Sequence, residues 1–157
     1  MSQFEDLPLD PGHADADRAA RDLVSTLGLR LDRRSSGALY LGTDQLSPSV
    51  GHVGGRIERN TYRMIDRETP EDFSVYDDFP IVWSLWSDTG RDPEVAEQER
   101  RARAVFDLVI ATLAWPSVLV HDFEELVATY DPERGVREFP PGTLSDGRHR
   151  HLWGSSG

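Results

Sequence analysis

The chain has 157 residues, 38% of them hydrophobic, and its 28 acidic against 17 basic residues give a formal charge of −11. That length suits one hydrophobic core, and the absence of cysteine excludes disulfides, thiolate metal sites, iron–sulfur clusters and cysteine nucleophiles. A field of this sign repels nucleic-acid backbones and anionic membrane surfaces and favours cationic partners.

Met1 to Ala14 is acidic and polar, carries Pro8, Pro11 and Gly12, and shows no apolar period, so a flexible acidic arm is expected over 1–14. From Asp15 onward Ala16, Ala20, Leu23, Val24 and Leu27 recur at helical spacing. Asp15 and Asp17 suit the positive end of that helix and Gly28 its stop, which predicts a helix over 15–27. Leu29 and Leu31 alternate with arginines, turn residues fill Arg34 to Gly37, and Ala38 to Gly42 is a short apolar run, the pattern of a β-hairpin. Val50 to Met64 suggests a strand with Val53 and Ile57 on one face and His52, Arg56, Glu58 and Asn60 on the other. Asp66 to Asp78 holds Pro70 and a run of carboxylates and is expected as a surface loop. Ile81 to Trp86 is β-rich and bounded by turn formers, the mark of a largely buried strand.

The clearest element follows. Ala102, Val105, Phe106, Val109, Ile110 and Leu113 form an apolar stripe that predicts a helix over 93–114. Glu97 with Arg101 and Glu99 with Arg103 stand at i, i+4 on its outer side, each pair contributing about 0.3 kcal/mol. Beyond Pro116, Ser117 to His121, Glu125 to Tyr130 and Val136 to Phe139 form a meander joined by turn residues. Pro140 to Gly157, rich in Pro, Gly, Ser and Arg, is expected as a flexible tail. Short turns between strands require antiparallel pairing. The fold expected is therefore α+β, a single domain over 15–139. It has an antiparallel sheet of about five to six strands, one long helix across a face and a shorter N-terminal helix.

No apolar run approaches the ~20 residues of a membrane span, and the acidic start lacks the features of a secretory signal, so the cytoplasm is the expected compartment. Every basic residue is arginine, a bias expected of a GC-rich bacterium or its phage. Motifs of chemistry are absent. Gly51 to Arg56 is glycine-rich without the spacing of a dinucleotide site, no Walker lysine exists, and the five histidines fall in no zinc-binding pattern; no cofactor or metal is implied. His121 and Asp122 end a strand beside a turn, but adjacent strand residues point to opposite faces.

Two functional readings follow. The first is a non-enzymatic acidic protein that captures a basic protein partner, a trait shared by inhibitors and immunity proteins. Glu71, Asp72, Asp77 and Asp78 would form a charged rim and Trp83 or Trp86 an aromatic anchor. The second is a small enzyme or ligand-binding domain using His52, Arg56 and Glu58 on the polar strand face, where imidazole titrates near neutrality.

Overall fold

The computed structural model describes residues 4–43, 53–61, 74–86 and 95–154. Their elements run β1 (Glu5–Leu9), α1 (Ala16–Leu27), β2 (Arg30–Arg33), β3 (Leu39–Gly42), β4 (Gly54–Arg59), β5 (Ile81–Leu85), α2 (Val95–Leu113), β6 (Ser117–His121), β7 (Glu125–Asp131), β8 (Gly135–Glu138) and the one-turn α3 (Arg150–Trp153). The fold is α+β with one antiparallel sheet, but that sheet has eight strands rather than five or six, in the order β2-β3-β4-β5-β1-β6-β7-β8.

The difference lies chiefly in β1. Residues 5–9, expected within a flexible arm, form a central strand, buried along its whole length and paired with β5 on one side and β6 on the other. Glu5, Asp6 and Pro8 all belong to residue types depleted in strands, and Pro8, without an N–H, is usually confined to edges. Here Pro8 stands opposite Val82, while the ladder to β6 pairs Glu5, Asp6 and Leu9 and skips Leu7 and Pro8. By occupying this place β1 joins a four-stranded meander, β2 to β5, to a three-stranded one, β6 to β8. β5 and β6 both run antiparallel to β1, and α2 is the crossover between them.

Both long helices lie on one face of the sheet. Asp15 caps α1 by accepting from the Arg18 N–H, and Gly28, at φ 76°, ends it with an N–H to Val24 O, the left-handed conformation that favours glycine. The stripe of α2 buries Ala102, Val105, Phe106 and Val109 against Leu7, Leu119, Trp83 and α1. Trp83 is fully buried, its indole N–H donating to Gly55 O at 3.2 Å. Gly55 is glycine of necessity, because a Cβ there would come within 1.5 Å of Ser84 O.

A smaller core covers the opposite face, where Val82, Val118, Val120 and Leu126 meet Val75 and Tyr76. Residues 75–78 form a 3-10 turn closed by a capping box in which Ser74 and Asp77 exchange side-chain to backbone hydrogen bonds. This part of the expected surface loop is therefore docked, with Asp77 buried and Asp78 exposed. The region after Pro140 is tied down as well. Leu126 N–H donates to Thr143 O, Val75 N–H donates to Ser145 O, Thr143 and Ser145 are buried, and Trp153 packs on the smaller core. Among the described residues no helix is long and apolar enough to cross a membrane.

Candidate functional site

Among the described residues the most unusual side chain is Glu5. It stands on the central strand with 1% of its surface exposed, facing the helical layer, with Leu85 of β5 and His121 of β6 as its register partners. A carboxyl in such a place must be neutral or paired, because desolvation of its charge is too costly otherwise. The chain supplies partners from two directions. His121 Nδ1 lies 2.6 Å from Glu5 Oε1, and Gln98 Nε2 of α2 donates to the same oxygen at 3.4 Å. On the other side of the ring, His121 Nε2 lies 3.2 Å from Glu99 Oε1. Imidazole thus bridges a buried carboxyl on β1 and a half-exposed one on α2. The Nδ1 contact requires a proton between nitrogen and oxygen, and a proton on Nε2 makes the approach of Glu99 favourable.

The electrostatics follow from this geometry. Burial pushes the Glu5 carboxyl up to about 7, against the opposing hydrogen bond and charge of His121. Burial alone would lower the His121 imidazole, but the hydrogen bond and charge of Glu5, with the charges of Glu99 and Glu125, outweigh it and raise it above its ordinary value. Two groups this close titrate as a unit.

Glu5 also lines a cleft of about 220 Å³ beside α2. Leu119, Val127, Phe139 and Pro141 give it an apolar lining, and Glu99 of α2 and Glu125 of β7 line it as well. Apolar surface therefore meets three carboxyl groups in one concavity. Among the described residues no group of three histidine or acid side chains is placed to hold a metal ion.

Apart from His121, noted at the end of its strand, the residues singled out from the sequence fall elsewhere. His52, Glu71 and Asp72 lie outside the described residues. Arg56 and Glu58 do share the sheet face opposite the helices, but as a mutual ion pair of 3.0 Å, both about half exposed. The same face bears Asp6, buried, accepting from the Tyr76 hydroxyl at 2.8 Å through Oδ2, while Oδ1 has no hydrogen bond among the described residues. Burial raises the Asp6 carboxyl, opposed by the Ser84 and Tyr76 hydroxyls and assisted by the charge of Glu58. Trp83 offers no surface to a partner, and the Asp77 side chain is spent on its turn. Trp86 is half-buried, edge-on to Phe4 and Tyr40, beside a pocket of only about 70 Å³. Asp78 keeps an exposed position.

The cleft residues carry no local signature. Glu99 appears in sequence as a surface residue at i, i+4 from Arg103, but Arg103 pairs with Asp107 and Glu138 instead, and Glu99 turns to His121. His121 shares parity with Leu119, a hint that it faces inward. Its partner is 116 positions away, and only the strand register brings the two together. Comparison of the chain with family models, curated proteins and solved structures finds no match.

Proposed function

We propose that the protein is a non-enzymatic binding protein that captures a basic partner by seating a lysine or arginine side chain of that partner in the cleft of Glu5, Glu99 and Glu125. The observation that carries this reading is the combination of an apolar lining with three carboxyl groups in one concavity, one of them held on a central strand. A purely solvated acidic surface needs neither the burial of Glu5 nor its support by His121 and Gln98. The net charge of −11 acts in the same direction at longer range, drawing basic surfaces toward the molecule. The exposed Asp78 contributes to that long-range field in this reading, in the manner of inhibitors that neutralise basic proteins.

The test uses N-acetyl-arginine amide as a probe and follows backbone and methyl NMR shifts during titration. Shifts concentrated at Leu119, Val127 and Phe139 are expected. Glu125→Gln should weaken binding by about tenfold, the equivalent of 1.4 kcal/mol. Shifts scattered over the acidic surface, with no focus on these residues, would remove the cleft as the binding site.

A further inference from the structure

Glu5 is both a wall of the cleft and the partner of His121, and these two roles compete for one proton. In the bridged arrangement, with one proton between Glu5 Oε1 and His121 Nδ1 and another between Nε2 and Glu99, the Glu5–His121 pair has no net charge, whichever of the two carries the shared proton. The cleft then presents the charges of Glu99 and Glu125 alone. When the shared proton leaves, the pair becomes net negative and the cleft presents three charges. We infer that the Glu5–His121 pair is a proton-controlled anchor: a cation entering the cleft displaces the shared proton, and acidification returns it and releases the cation. This inference rests on the cation reading of the cleft and adds its regulation.

The surroundings of the pair support a response near neutrality. Facing it are Gln98 and Glu99 from α2, Glu125 from β7 and the apolar Leu85 from β5. Asp6 points to the other side of the sheet, toward Tyr76. The arginines of α2 are engaged elsewhere: Arg100 and Arg101 with Glu97, Arg103 with Asp107 and Glu138. Anionic neighbours hold the proton on, while burial, by disfavouring an unpaired charge on Glu5, does the same. Both effects place the pair's proton loss higher than that of an ordinary surface carboxylate, in agreement with the upward shifts of both groups. Linkage then requires reciprocity: a cation that binds better to the deprotonated pair must lower the pair's hold on its proton.

Two measurements on the intact chain test this. The Glu5 side-chain carboxyl carbon and the His121 ring are followed by NMR from pH 5 to pH 9, without ligand, and the Kd of N-acetyl-arginine amide is measured at pH 8 and at pH 6. The expected result is linked titration of Glu5 and His121 near neutrality and a Kd about tenfold weaker at pH 6, the limit for competition with one proton of mid-range affinity. In Glu5→Gln the Kd should lose this pH dependence. If that variant misfolds, the titration of the unaltered protein still decides. A Glu5 carboxyl that titrates alone below pH 5 overturns the inference and leaves the cation reading standing. So does a Kd that is equal at the two pH values while Glu5 titrates near neutrality. Absence of binding at both pH values overturns the cation reading and the inference with it.

Discussion

At the scale of single residues, the chain places two consecutive acids on a central strand and sends them to opposite faces, each buried to about the same degree. Their burial has a consequence for stability. Glu5 in the folded chain holds its proton up to about 7, whereas an unfolded glutamate lets go near 4.3, so between those values the folded state binds more protons. Stability must then fall as pH rises through this window. His121 and Asp6 are also shifted upward, which extends the effect in the same direction. Glu138 and Asp146 are shifted downward by Arg103 and by His149, and their contribution is lost only in acid, below the window. The loss between pH 5 and pH 8 from Glu5 is on the order of 3 kcal/mol at most. Glu5→Gln removes the titrating group, so urea unfolding of the variant should show a flatter dependence over pH 5 to 8 than the unaltered chain. Equal slopes in the two proteins would mean that Glu5 ionises in the folded state as freely as in the unfolded one. None of this is legible in the sequence around Glu5, because its burial and its partner are both set by residues more than seventy positions away.

Among the elements, those with a complete local signal are the ones the sequence declares. α2 shows its stripe, α1 its cap and its terminal glycine, and the β6 to β8 meander its turns; the observed bounds differ from the expected ones by a residue or two. β1 has no such signal. Three of its five residues argue against a strand, and what holds it is two neighbouring ladders and the apolar contacts of Leu7 and Leu9. The segment after Pro140 is similar: its turn-forming residues are real, yet Thr143 and Ser145 are buried, and their carbonyls accept from Leu126 of β7 and from Val75 of the 3-10 turn. Tertiary context overrides propensity in both cases. The practical test is truncation. Deleting residues 1–10 removes the strand that joins the two halves of the sheet and leaves β5 and β6 without a partner on one side, exposing two edges and uncovering the core below α2. The shortened chain should lose its cooperative thermal transition in circular dichroism. A cooperative melt close to that of the full chain would show that β1 is dispensable and the arm expected from composition was the better description.

For the molecule as a whole, the distribution of charge separates two effects that net charge merges. The field of −11 charges acts at a distance and is screened by salt, with a Debye length of about 10 Å at 0.1 M that shrinks to about 3 Å at 1 M. In the proposed reading the cleft acts on contact, and Glu5, buried among apolar neighbours, is more sheltered from that screening than the half-exposed Glu99. Charges that steer should therefore govern how fast a basic partner arrives, and charges that are desolvated in the complex should govern how fast it leaves. An octa-arginine peptide serves as the probe, with association and dissociation rates measured by stopped flow across that range of salt. Asp78→Arg, on the exposed end of the 3-10 turn, should slow association, and the effect should fade as salt rises. Glu125→Gln should chiefly speed dissociation by several-fold, and this effect should persist at high salt. If both substitutions act on association alone and both vanish in salt, the cleft holds nothing, and the acidic character of the chain is a property of its whole surface rather than of a site.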